Sequence, residues 1–315
     1  MLLHMTPRLI TPSTFLLAML FLASCGKDAD APMLAGNTSK ATTEGEALYQ
    51  KAKNEDEAGN SKKAAKLYDQ MATRYSFAPS AAKARYRQAQ ILEEKGDIQN
   101  AFEAYDKFLS HFPESSLYTT TLKRQAEMAQ SAADGDIKSS FLGMKTRLSL
   151  EKTVAMLTKV KDHAPKSATA SKAAFTIGRL YEGKKKSKEA IDTYHDLVKT
   201  QPDSKEAPEA LFRVGVILME EADRGNQNQA NIELSREAFS DYLIQYPGHS
   251  RNAEAHKMIE NLVGRDLQQC YNIAEYYRKV GKYESAKVYY RDVLKRSSSG
   301  KLYNDAKARL KELGG

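Results

Sequence analysis

The residue types that most often perform chemistry in proteins are few and scattered in this sequence. Its only cysteines are Cys25 and Cys270, and its histidines are dispersed along the chain: His4, His111, His163, His195, His249 and His256. No HExxH pair, no cysteine–histidine cluster with metal-ligand spacing, no glycine-rich phosphate loop and no GxSxG turn occurs. We therefore expect no catalytic residue, no bound metal and no cofactor. An enzyme of the cell envelope is the most distant alternative.

Three charged motifs have structural explanations. Asp134-Gly135-Asp136 lacks the downstream ligands and the closing Glu of a calcium loop, so we interpret it as a turn. The pair Glu220-Glu221 falls on a predicted helix face that carries no catalytic partner. The lysines at 184–186, with Lys188, would suit contact with anionic lipid, but they fall in a predicted turn between two helices, where exposed lysines are ordinary, and we favour that interpretation.

Cys25 is different because of the segment that precedes it. Residues 15–23 (FLLAMLFLA) are apolar but too short for a stable transmembrane helix, and Leu22-Ala23-Ser24-Cys25-Gly26 follows at their end. Small residues before a cleavage point and a Cys directly after it resemble a bacterial lipoprotein signal, whose Cys thiol receives lipid such as palmitate. An ordinary secretory signal with an incidental Cys is the alternative.

These features predict three segments in the chain. Residues 1–24 form a lipoprotein signal peptide, whether translation starts at Met1 or Met5. Residues 25–45, rich in small and polar residues, form a flexible tether that begins at the lipidated Cys25. Residues 46–315 form the folded domain. Gly26, where Asp would indicate inner-membrane retention, favours a location at the outer membrane, lipid-anchored and facing the periplasm.

The folded domain repeats a two-helix unit six times. We mark each unit by a terminal proline or serine, its landmark: Ser76, Pro113, Pro165, Pro202, Pro247 and Ser298. Eight residues before each landmark lies a large wedge residue: Tyr68, Tyr105, Leu157, Tyr194, Phe239 and Tyr290. Twelve residues before it lies a small or short crossing residue: Ala64, Ala101, Thr153, Ala190, Ser235 and Ala286. This is the pattern of a tetratricopeptide repeat, in which two antiparallel helices cross at small residues.

The first helices of the units agree with this pattern and predict an all-α solenoid of about six helix pairs. Four of them carry a small residue at a shared position: Ala89, Gly178, Gly215 and Ala274. The units are uneven, however. Extra sequence falls at 134–149, a long polar turn at 223–231 and an additional predicted helix at 249–265, while the helix at 302–313 is expected to cap the open end.

Cys270 lies four residues before a small residue of a first helix. At that position we expect it to face the paired helix and to act as a small apolar residue, not as a reactive thiol.

Two stretches resemble BamD, the lipoprotein of the outer-membrane β-barrel assembly machinery. They are Arg74–Pro79 (RYSFAP) and Glu275–Lys295 (EYYRKVGKYESAKVYYRDVLK). Ser76 stands where the family has a proline, and six units replace the usual five. Residues 201–211 also resemble the repeats of CpoB (YbgF), a periplasmic protein of cell-envelope coordination, which is the alternative within the scaffold class.

The resemblance to BamD implies that the chain binds the periplasmic domains of the barrel-assembly insertase and receives unfolded outer-membrane proteins. The CpoB alternative implies Tol or peptidoglycan-synthesis partners. The formal charge of +8 arises from interleaved basic and acidic residues, which does not indicate nucleic-acid binding. We expect partner segments to bind a groove lined by first helices, where tyrosines, arginines and lysines would suit acidic or aromatic-tipped peptides. The pattern assigns no individual groove residue.

Overall fold

A computed structural model describes residues 38–141, 144–224 and 229–315, and within them the chain forms thirteen helices and one β-hairpin. The helices are α1 (Thr38–Glu57), α2 (Ser61–Arg74), α3 (Ala81–Glu94), α4 (Ile98–His111), α5 (Tyr118–Asp134), α6 (Leu150–His163), α7 (Ala168–Gly183), α8 (Ser187–Thr200), α9 (Ala207–Arg224), α10 (Gln229–Gln245), α11 (Asn252–Lys279), α12 (Tyr283–Arg296) and α13 (Lys301–Glu312). The strands are β1 (Lys138–Phe141) and β2 (Met144–Arg147).

The ends of the second helices confirm the predicted register. Each of α2, α4, α6, α8, α10 and α12 ends two residues before its landmark. All six wedge residues are at most 2% exposed, and all six crossing residues are buried. The described residues therefore form a tetratricopeptide-repeat solenoid of six helix pairs, followed by α13.

Close helix crossings explain the small residues of the first helices. A Cβ atom on Gly178 would fall within contact distance of the Tyr194 ring, and one on Gly215 would lie 2.8 Å from Cε1 of Phe239. Carbon atoms pack best at about 3.5–4.0 Å, so glycine at these positions lets the second helix approach.

The first helix begins earlier than the sequence indicates. The composition predicts a tether up to residue 45, whereas α1 begins at Thr38. Ala41 and Gly45 lie one helical turn apart and are buried, and a Cβ on Gly45 would lie 2.9 Å from Cβ of Tyr75. Packing against the segment that follows α2 thus overrides a loop-like composition. The predicted signal peptide, Cys25 and residues 26–37 lie outside the described residues.

The extra sequence of the third unit contains a β-hairpin, whose two strands are the only ones among the described residues. Gly135 adopts a left-handed conformation (φ 83°) that ends α5, which confirms that Asp134-Gly135-Asp136 is a turn. The strands then pair antiparallel, with Lys138 opposite Arg147. Helical periodicity alone does not predict these strands.

The additional helix predicted at 249–265 is not a separate element. It is continuous with the first helix of the sixth unit in α11, a single helix of 28 residues. Ala255 and Leu262 in its first half pack into the core of α9 and α10, whereas Cys270 and Ala274 in its second half pack with α12 and α13. The last helix, α13, covers the open end as expected, through buried Ala306 and Leu310.

Two further findings concern the turn between α9 and α10 and the membrane-spanning capacity of the helices. The polar turn predicted at 223–231 is shorter where it is described, because α9 continues to Arg224 and α10 begins at Gln229. Among the helices that the structure describes, none combines the length and the apolar character needed to cross a bilayer.

A candidate protein-binding groove

The first helices of the second to fifth units border a series of three cavities. One of about 560 Å³ lies between α3 and α5, one of about 710 Å³ between α5 and α7, and one of about 600 Å³ between α7 and α9. We call the surface formed by these three cavities the groove. It lies where the sequence places a binding surface, on the first helices.

The middle cavity has an apolar lining. Leu157 and Val160, core residues of α6, contribute to it, and so do Leu122 and Ala126 of α5. Its volume lies within the range of about 300–1,000 Å³ that is usual for ligand pockets. An apolar side chain of a bound segment can therefore be buried here.

This cavity exists because the third unit lacks a pair of aromatic rings. In the other five units, an aromatic residue three positions before the small residue of the first helix packs on the wedge residue, with ring centroids 5.1–5.9 Å apart. In the third unit these two positions hold Lys123 and Leu157. The space that rings fill elsewhere is left open to the groove.

The cavity between α3 and α5 is bordered by a hydrogen-bond relay, in which one carboxylate accepts from a tyrosine of its own unit and an arginine of the next. The Tyr105 hydroxyl donates to Glu93 at 2.9 Å, and Nε of Arg124 donates to Glu93 at 2.7 Å. Burial raises the pKa of Glu93, but the hydrogen bonds from Arg124 and Tyr105 outweigh it, so the pKa is lowered. Burial and the bond to Glu93 raise the pKa of Tyr105. Glu93 is therefore an anion already satisfied by the protein, not a free base.

The same relay recurs along the stack. Tyr194 donates to Glu182 at 3.0 Å, and Arg213 pairs with Glu182 from the next unit. In the first unit, Asp56 accepts from Arg87 at 2.7 Å. Every relay has the acid 12 residues before the wedge tyrosine and 31 residues before the arginine. The sequence analysis missed this fixed spacing, which links the first, second and fourth units to the units that follow them.

The charge in the groove is mixed, unlike the basic and aromatic surface expected from the sequence. Arg124 and Arg213 are neutralised by glutamates of the relays. Lys123, Lys172 and Arg179 are exposed and make no ion pair within the residues that the structure describes. Three cations are thus available to a ligand, two of them beside the apolar cavity.

Two models of known protein families match this chain. A model described as tetratricopeptide repeat matches residues 49–116, and the YfiO model, described as outer membrane lipoprotein, matches residues 146–313. The second match spans more than half of the chain. The chain belongs to the YfiO (BamD) outer-membrane lipoprotein family. The resemblance noted from the sequence is thereby confirmed.

Solved structures of other proteins are similar to this YfiO-family chain only at a low level. MamA from Desulfovibrio magneticus RS-1 is 15% identical over 65% of this chain and 97% of its own, with a TM-score of 0.29. PilF from Pseudomonas aeruginosa is 13% identical over 86% and 99%, with a TM-score of 0.30. YrrB is 15% identical over 71% and 100%, with a TM-score of 0.31. Similarity at this level does not assign a function to the chain. No curated protein matches the chain.

Cys270 of the YfiO-family chain is a buried thiol, as the sequence predicts. Its Sγ lies 3.3 Å from a carboxylate oxygen of Asp292 and 3.6 Å from the carbonyl oxygen of Tyr289. Burial, together with the bond to Asp292, raises its pKa to about 12. The thiol therefore stays protonated at neutral pH and donates a hydrogen bond within the core.

One histidine and one turn lysine that the sequence singles out have structural contacts. Nε2 of His163 lies 2.7 Å from Asp106, which also accepts from Lys159 at 2.8 Å, and this cluster joins α4 to α6. Lys186 pairs with Glu189 at 3.6 Å. Within the described residues, no group of His, Cys, Asp and Glu has the arrangement of a metal site.

Proposed function

We propose that this chain is a non-catalytic outer-membrane lipoprotein that binds partner proteins in the groove and takes part in the assembly of outer-membrane β-barrel proteins. Membership of the YfiO family supports the assembly role. The observation that carries the binding role is the apolar cavity between α5 and α7, opened by the missing aromatic pair of the third unit.

In this proposal a partner segment runs along the first helices and places one apolar side chain in the middle cavity. Lys123 and Lys172 then lie beside the anchor side chain, and their ammonium groups bind acidic groups of the partner that flank it. Buried anchors usually carry most of the binding energy of an interface, and charges at its rim set specificity. The partners would be components of the β-barrel assembly machinery and outer-membrane protein precursors.

The lipid anchor belongs to the same proposal. Cleavage after Ser24 would leave Cys25 as the lipidated N-terminus, and several acyl chains on one residue would give a stable anchor where a single chain is marginal. The family description as an outer membrane lipoprotein supports this location.

Affinity purification from membranes, followed by quantitative mass spectrometry, tests the proposal. Wild type should recover a barrel-assembly insertase, and Leu122→Asp should lower that recovery by about tenfold or more because it places a charge in the cavity. Leu234→Asp is the matched control, since Leu234 is exposed on α10 and outside the three cavities. Lys172→Glu, at an exposed position, should also lower recovery without affecting the fold.

Three results would contradict the proposal. Equal recovery from Leu122→Asp, Lys172→Glu and Leu234→Asp would exclude the groove as the binding site. Recovery of Tol or peptidoglycan-synthesis proteins in place of an insertase would support the CpoB-like role. Turnover of an envelope substrate by the purified chain would contradict the non-catalytic assignment.

A further inference from the structure

The first helix of the sixth unit exposes a position that is buried in the first helices of the second, third and fifth units. In these three helices the side chain two residues after the small residue packs with the preceding unit. There Ile91 is 1% exposed and Ile217 is 2% exposed, whereas Tyr276 of α11 is 62% exposed. A face that the fold normally covers with a helix pair is bare at this point.

The exposed face of α11 is continuous with a face of the same helix that α9 and α10 cover. Ala255, Ile259 and Leu262 recur at intervals of three and four residues and pack against α9 and α10. The same spacing continues to Ile273, Tyr276 and Val280, so all six residues share one face of α11. We call the last three residues the bare stripe; Tyr276 and Val280 are exposed, and Ile273 is half-buried. It lies beyond the helices that cover the first half, because α11 is 28 residues long.

Exposed apolar residues are concentrated around the bare stripe. Among the described residues, the large apolar side chains that are exposed number seven, and four of them lie at or near the junction of α11 and α12: Tyr276, Val280, Tyr283 and Val288. Single exposed apolar residues are normal, but a cluster in line with a covered interface marks a docking surface.

The charge around the bare stripe indicates the chemistry of its partner. Residues 275–315 carry eleven Lys and Arg against five Asp and Glu. Lys279 and Lys282, on either side of Val280, are exposed and make no ion pair within the part of the chain that the structure describes. A second copy of the chain would bring like charges together, which disfavours self-association through this face.

We propose that Ile273, Tyr276 and Val280 bind an amphipathic helix of a partner protein whose apolar face is bordered by Asp and Glu. The helix would lie on α11 as α9 and α10 lie on its first half. This docking surface is separate from the groove, which is formed by α3 to α9.

Site-specific photo-crosslinking in cells tests this proposal on the full lipidated chain. A benzophenone amino acid at position 276 should give an adduct whose partner peptide maps to an acid-bordered amphipathic helix. The same probe at Ile244, which is 77% exposed on α10, should give no such adduct. Lys279→Glu combined with Lys282→Glu should lower the yield at position 276 by about fivefold or more, since charge reversal repels an acidic partner.

Other outcomes would overturn the proposal. These are the absence of an adduct, an adduct to a second copy or to residues 26–37 of the same chain, an adduct to phospholipid, and a partner segment that is basic or not helical. Val280→Ser should leave the melting temperature unchanged, whereas Ile91→Ser, at the covered counterpart of Tyr276, should lower it. Equal losses for both would show that the stripe is covered within the chain itself.

Discussion

Replacing Gly178 by alanine tests the helix crossing that sets the register of the stack. The added Cβ would lie 2.8 Å or less from three ring atoms of Tyr194. The ring cannot move away easily, because it is fully buried and its hydroxyl is held by Glu182 at 3.0 Å. Overpacking of this kind costs about 1–3 kcal/mol, while removing a glycine from a helix interior gains about 1 kcal/mol. The free energy of unfolding should therefore fall by roughly 0–2 kcal/mol, whereas the substitution alone, without the clash, would raise it.

Gly264→Ala is the matched control for this substitution. Gly264 lies within α11, and a Cβ there would meet no atom within 4 Å. The same chemical change should therefore raise the free energy of unfolding by about 1 kcal/mol. Urea denaturation followed by circular dichroism measures both variants. If Gly178→Ala proved as stable as Gly264→Ala, the crossing at Gly178 and the register built on it would be wrong.

Three further predictions concern the titrating and lipidated residues. Although burial raises it, hydrogen bonds from His163 and Lys159 lower the pKa of Asp106 to about 2. Since the folded-state pKa is depressed, about 2 kcal/mol of stability should be lost between about pH 4 and pH 2; an equally steep loss in Asp106→Asn would refute this. Cys270 should react slowly with a thiol reagent until urea is added, and Cys270→Ala should retain partner binding; rapid labelling of native protein would refute its burial. Cys25→Ala should release the protein from membranes, and a variant that still pelleted in carbonate would refute the anchor.

The repeat register could be predicted from the sequence because each unit carries its own constraints. Large wedge residues and small crossing residues recur at fixed distances from the landmarks, and burial of Tyr105 and Ala101 follows from that spacing. The buried thiol of Cys270 follows from the same alignment. These features depend on contacts within a single helix pair, which local spacing determines.

Features that depend on contacts between units were not predictable in the same way. The start of α1 is set by packing of Gly45 on Tyr75, which a composition of small polar residues conceals. The continuity of α11 follows from two cores that share one helix, and no breaker separates them except the tolerated Gly264. The relays are present in the sequence as a fixed spacing of 31 residues between the acid of one unit and the arginine of the next. That spacing predicts a contact only once the packing of the two units is known.

The absence of an aromatic pair in the third unit was also visible in the sequence. Lys123 replaces an aromatic residue and Leu157 replaces an aromatic wedge. Its consequence, an apolar cavity open to the groove, required the positions of α5, α6 and α7.

A photo-crosslinker at Lys123, beside the middle cavity, tests the central claim most directly. Incorporated into the full lipidated chain in cells, it should form an adduct with a periplasmic domain of the barrel-assembly insertase or with an outer-membrane protein precursor. The same probe at Lys107, which is exposed on the second helix α4, serves as the control and should not form it. No adduct at position 123, or adducts with only Tol or peptidoglycan-synthesis proteins, would contradict the account.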